Sequence, residues 1–182
     1  MDLARKQSPE NLILYLLDFG TNGLAPLTQL PHVADSLLLD QTEKIQKFIR
    51  IINRELDRRK KLLSEHGVGT IALYREVTGK QEPTMVILMD SYESMKDEPY
   101  ETDLFKLFMR ISREGLSIGV HLIITASRQN NLRAQLYSNF KHQLTLPQND
   151  ISEVRGIVGA TPLAATMEDI KGRALMKRDE VD

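Results

Sequence analysis

Four short apolar runs constrain the fold of this chain more than any other feature. "NLILYLLDFG" is apolar from Leu12 to Leu17 and stops at Asp18 and Gly20, and "DSLLLD" (35–40), "TMVILMD" (84–90) and "VHLIITA" (120–126) repeat the pattern. Runs this short, nearly continuous and closed by a turn or an acid, read as strands buried on both faces. Weaker candidates are "HQLTLP" (142–147) and "RALMK" (173–177).

Helical spacing fills the intervals. From Thr42 to Glu65, residues Ile45, Phe48, Ile49, Ile52, Leu56 and Leu63 form one apolar stripe, with Lys44, Lys47, Arg50, Arg54, Arg58, Arg59, Lys60 and Lys61 read as the opposite, cationic face. A second helix is expected over 101–114, with shorter ones near 132–140 and 151–158, while 66–70, 78–83 and 96–103 read as loops. Buried strands alternating with helices give an α/β fold, a mostly parallel sheet with helices on both faces. Residues 1–10 form a polar N-terminal segment, and 11–182 one domain.

A chain of 182 residues, 41% hydrophobic and 27% charged, can bury a core without staples. It has no cysteine, so disulfides, thiolate zinc sites and thiol nucleophiles are excluded. The net charge of −1 argues against a general nucleic-acid footprint. No apolar run approaches the ~20 residues of a membrane helix and the start has no signal-peptide core, so the chain reads as soluble, without direct membrane insertion.

In doubly wound sheets ligands collect beyond the carboxyl ends of the strands, which points to Asp18, Asp40, Asp90, the stretch Thr125 to Arg128 and the segment after Leu146. Asp90 has two readings: a carboxylate placed for Mg²⁺, or a cap for the following helix. A phosphate cradle would decide, but no G-x-x-x-x-G-K-[ST] occurs: Gly79-Lys80 is followed by Gln81, with Tyr74 where the first glycine belongs. His32, His66, His121 and His142 show no metal-ligand spacing, and no serine sits in a nucleophile elbow.

The ordered set "LLDFG", "LPHVAD", "RELDRRKKLL", "TMVILMDSYESM", "GVHLIITASR", "LYSNFKHQLTL" and "VGATPLAATMEDIKGRALMK" resembles the motor domain of the FtsK/SpoIIIE family, from Asn11 onward. "LLDFGTNGLAPLTQLPHVAD" and "KIQKFIRIINRELDRRKKL" are most similar to the tandem ATPase domains of EssC/YukB-type coupling proteins of type VII secretion. The resemblance implies a RecA-like P-loop NTPase architecture entered after its P-loop element. It puts Asp90 at the Walker B position, as the Mg²⁺ residue, and Ser91 where the catalytic glutamate belongs; serine cannot take a proton at neutral pH. In "IITASRQ", Ala126 and Ser127 replace a Thr-Gln pair and Arg128 is kept, so Ser127 and Arg128 are the remaining nucleotide-binding candidates. Gln143 stands where the motors carry arginine.

The implied function is a degenerate or truncated ATPase module of a membrane-anchored, cytoplasmically exposed bacterial secretion motor. Its partners would be neighbouring ATPase domains and, indirectly, other secretion components and WXG-class substrates. Mg-ATP would belong to the intact parent domain, and this chain alone is expected to be inactive. Two alternatives stay open: a DNA-translocating motor, suggested by the cationic helix, and a non-enzymatic interaction scaffold.

Overall fold

The computed structural model describes residues 2–168 and 170–177. By its contacts the chain divides into two compact units, Met1–Ala126 and Ser127–Asp182.

The first unit is built on a four-stranded parallel sheet of β1 (Leu12–Asp18), β2 (Val33–Leu38), β3 (Thr84–Asp90) and β4 (Val120–Ile124), in the order β2-β1-β3-β4. β1 and β3 are interior, which is why their sequences are almost unbroken apolar runs. The edge strands differ from the expectation of burial on both faces: only Leu37 of β2 and Val120 of β4 are buried, and Ile123 is 51% exposed. Alternation divides the interior strands cleanly. Leu12, Leu14, Leu16, Val86 and Leu88 share a cluster with Ala4 of α1 (Asp2–Lys6) and with Leu24, Leu27 and Leu30. Tyr15, on the other face, meets Phe48 of α2 (Thr42–Glu65) with ring centroids 5.3 Å apart.

The α2 stripe is buried as expected, and at ~1.5–3 kcal/mol per large apolar side chain it is a principal source of stability. One of its supposed cationic-face members is wrongly placed by the sequence: Arg59 is fully buried. Four of the other cations are occupied, Lys44 by Asp35, Arg58 by Glu55 and Glu82, Lys60 by Glu114 and Lys61 by Glu65. A helix absent from the sequence reading, α3 (Ile71–Thr78), follows; Thr70 caps it by accepting the Leu73 N–H at 3.2 Å, and Gly79 ends it at φ 69°. α4 (Glu101–Glu114) packs against α2 and β4 with Leu104, Leu107, Phe108, Met109 and Ile111 buried.

The second unit holds α5 (Ala134–Tyr137), β5 (Gln143–Thr145), α6 (Ile151–Val158), α7 (Pro162–Ala165) and β6 (Leu175–Lys177). The two weak strand candidates do form, but they pair with each other, antiparallel, in a separate ribbon. Asp150 starts α6 by accepting the Ser152 N–H at 2.8 Å, and Thr161 with Pro162 starts α7.

Candidate functional site

β1 and β3 end on aspartates that are partners in the parallel register, Asp18 beside Asp90. Each carboxylate does something different. Asp18 is 4% exposed; its Oδ2 accepts the Leu24 N–H at 2.9 Å, and its buried Oδ1 has no hydrogen-bond partner among the described residues. It therefore closes the loop 19–24 back over the carboxyl edge. That loop passes Asp90 very closely: a Cβ on Gly20 would lie 2.6 Å from Asp90 Oδ2 and 2.6 Å from Ser91 Oγ. Only glycine fits, because the chain must approach side chains that are themselves fixed.

Asp90 is fixed from the other side by β4. Thr125 donates its hydroxyl to Asp90 Oδ1 at 2.6 Å and accepts the Ser91 N–H at 3.0 Å. The Thr125 carbonyl accepts the Tyr92 N–H at 3.0 Å, so the turn after β3 is tied to the end of β4 at two points. Ser91 itself is left-handed, φ 61° and ψ 65°, a conformation that costs a non-glycine residue ~1 kcal/mol or more. It makes no side-chain cap to the 3₁₀ turn Tyr92–Met95, and Asp90 turns to Thr125 instead. The capping reading of Asp90 is thereby set aside. Glu93 lies within that turn, where its carbonyl accepts the Lys96 N–H.

The remaining sequence candidates have local partners. Ser127 Oγ accepts from Asn131 Nδ2 at 2.8 Å, and Arg128 lies 3.5 Å from Glu153; both residues open the second unit. Gln143 accepts the Tyr137 hydroxyl at 2.7 Å and donates to the Phe140 carbonyl at 3.1 Å, a local structural role. The first unit thus gathers Asp18, Gly20, Asp90, Ser91 and Thr125. Asp40 is exposed, two residues past the end of β2.

A divalent cation could find ligands here in Asp90 and the unpartnered oxygen of Asp18, but among the described residues no three His, Cys, Asp or Glu side chains gather to hold one. The sequence contains no G-x-x-x-x-G-K-[ST] motif, and Ser91 carries a hydroxyl where a base would need a carboxylate. The side chains fit a cation that arrives already held by phosphates, as Mg²⁺ commonly is.

The profile of the FtsK/SpoIIIE family matches residues 1–171. The chain belongs to this family. It is 42% identical over 179 residues to the type VII secretion system protein EssC of Staphylococcus aureus, covering 98% of this chain and 12% of that protein. To the ESX secretion system protein YukB of Bacillus subtilis it is 36% identical over 181 residues, again 12% of that protein's length. The solved structure of EssC ATPases 2 and 3 from Geobacillus thermodenitrificans superposes with a TM-score of 0.90 at 35% identity, over 97% of this chain and 33% of that one. The parallel sheet with its helices is therefore the RecA-like ATPase fold. The chain spans about one eighth of the length of the curated relatives it matches.

Proposed function

We propose that this chain is an ATPase-fold module of a type VII secretion motor that supports protein export by packing with neighbouring ATPase modules and does not hydrolyse ATP itself. The observation that carries this reading is the arrangement at the end of β3. The Asp90 carboxylate, which this reading takes as the Walker B acid, accepts the Thr125 hydroxyl, while the next residue is Ser91, in a left-handed turn, with no carboxylate to activate water. Asp90 would hold the Mg²⁺ of a nucleotide whose phosphates are cradled by other residues; the group's contribution, when bound, is to draw charge from the phosphates. This chain's own share is limited to orienting one carboxylate. Ser127 and Arg128 would meet a nucleotide only weakly. The exposed apolar edge of β4, with Ile123 half open, supports addition of a further element on that side.

The parent motor is read as membrane-anchored with this module in the cytoplasm. No helix of the described residues is long and apolar enough to cross a membrane. Other secretion components and WXG-class substrates would be reached through the neighbouring modules. The DNA-motor alternative weakens, because five of the eight α2 cations are neutralised or buried within the chain.

The test is Mg-ATP titration calorimetry and phosphate release, on this chain and on the longer parent protein. No heat and no turnover are expected from the chain alone, and Asp90→Ala in the parent should leave its turnover unchanged. Turnover by this chain that Asp90→Ala abolishes would overturn the non-hydrolysing reading.

A further inference from the structure

At the opposite end of the first unit, where β3 and β4 begin, lies a pocket of about 610 Å³ with no part in the Asp90 chemistry. Its size falls within the ~300–1,000 Å³ of ordinary ligand sites. α3, the turn between α4 and β4, and the entry to β3 form its walls. Those walls are tied together: the Ile71 N–H donates to the Ser117 carbonyl at 2.9 Å, and buried Arg59 donates to the Ile118 carbonyl at 2.9 Å from beneath. The concavity is preformed.

Its lining combines two chemistries. Ile71 and Leu116 are apolar, and Leu116, 74% exposed, is the most exposed large apolar side chain among the described residues. Arg75 and Arg113 are cationic, and neither has an ion-pair partner among the described residues, unlike Arg58, Arg59 and Arg110. The lining acid, Glu82, is already engaged by Arg58 and does not neutralise them. We infer that this pocket is a docking site for a polypeptide segment of a partner protein that presents an aliphatic side chain next to a carboxylate.

Charge complementarity selects the occupant. Two guanidiniums suit carboxylates, which they bind with paired N–H donors, and an apolar wall suits an aliphatic neighbour. A polyphosphate or nucleic-acid backbone would gain nothing from the apolar wall of Ile71 and Leu116. The inference stands apart from the nucleotide reading, since no residue is shared with the Asp90 group.

The experiment uses fluorescence polarisation of the whole 182-residue chain against two fluorescein-labelled dodecapeptides, one of glutamate and leucine and one of lysine and leucine. Saturable binding of the acidic peptide is expected, weakened at least tenfold by Arg75→Glu with Arg113→Glu, and likewise by Ala72→Trp, which fills the pocket from an exposed position. Circular dichroism melts verify that these variants fold. Lys47→Glu with Arg50→Glu, which removes cations of α2 that have no ion-pair partner among the described residues, should change nothing. Equal binding of the lysine peptide, or no loss in the folded pocket variants, overturns the proposal. So does displacement of the acidic peptide by a single-stranded oligonucleotide in an Arg75- and Arg113-dependent way, which would assign the pocket to nucleic acid.

Discussion

Replacing Arg59 by alanine tests whether a buried cation holds the amino ends of the strands together. Arg59 is 0% exposed and donates to Glu55 at 2.7 Å, to the Ile118 carbonyl at 2.9 Å, to the Pro83 carbonyl at 2.8 Å and, at 3.3 Å, to the Gly119 carbonyl. It thereby joins the C-terminal half of α2 to the starts of both β3 and β4. Not every partner is orphaned by its removal. Glu55 keeps Arg58, with two contacts at 2.8 Å, and the Gly119 carbonyl keeps the Met85 N–H at 2.9 Å. The loss then falls on the Pro83 and Ile118 carbonyls, at ~1–3 kcal/mol for each buried group left unsatisfied, plus the cavity left by the side chain.

The expected destabilisation is about 3–5 kcal/mol, in line with breaking other buried pairs. For a chain of this size each kilocalorie lowers Tm by ~2–4 °C, so the melt should move by ~6–20 °C. The chain has no tryptophan, so urea unfolding is best followed by circular dichroism. Arg59→Lys should recover only part of the loss, because one ammonium cannot span acceptors on α2, β3 and β4 at once. A loss below about 1 kcal/mol in Arg59→Ala, with an unchanged m-value, would refute the idea that this residue ties the elements together.

Gly20→Ala should displace Asp90 and Ser91, since the added Cβ falls 2.6 Å from both oxygens, costing ~1–3 kcal/mol in urea unfolding. Ser91→Gly should instead stabilise the chain by ~0.5–1 kcal/mol by releasing the left-handed serine, and no gain would mean the strain is not there. Stability should also fall in acid. Burial works against ionisation of Glu55 and Glu114, yet hydrogen bonds from Arg58 and Arg59 to the first, and from Lys60 and Arg110 to the second, outweigh it and hold both below the ordinary glutamate value of 4.5. Their contribution is complete above pH 4.5 and is lost as pH falls through the lowered folded values. Glu55→Gln with Glu114→Gln should flatten that limb in denaturation curves taken from pH 6 to pH 3, and an unaltered limb would refute the assignment.

The interior of the sheet was legible because β1 and β3 have neighbours on every side, and only apolar residues survive there. Edge strands are less legible: "DSLLLD" and "VHLIITA" look as apolar as the interior runs, yet their exposure depends on what lies beside them, which no local pattern records. Arg59 was misread inside the run "RRKK", although the stripe Ile52, Leu56, Leu63 leaves position 59 on the inward phase, and following that phase would have found it. α3 went unread because its eight residues bury only Tyr74 and so carry almost no stripe. Asp90 does end a strand, as its place after an apolar run led one to expect. Gly20 and the Asp18 loop were not connected to it, because what joins them is parallel register between strands 66 residues or more apart in sequence.

The hydroxyl beside Asp90 changes how the substitutions in "IITASRQ" should be weighed. By resemblance, Ala126 and Ser127 read as lost polar groups, a decay spreading outward from Ser91. The structure places a threonine one position earlier, and Thr125 addresses Asp90 and the Ser91 N–H directly. The Thr125 hydroxyl holds the aspartate inside the protein's own hydrogen-bond network. Thr125→Val keeps the shape and removes that bond, and because Thr125 is exposed, water can replace part of it, so the stability loss should be only ~1 kcal/mol. If the hydroxyl is what restrains Asp90, the same variant should release that side chain to alternative rotamers, seen as broadened or doubled Asp90 signals in NMR. A single sharp conformer in Thr125→Val would mean that Gly20 and the sheet edge alone fix the carboxylate.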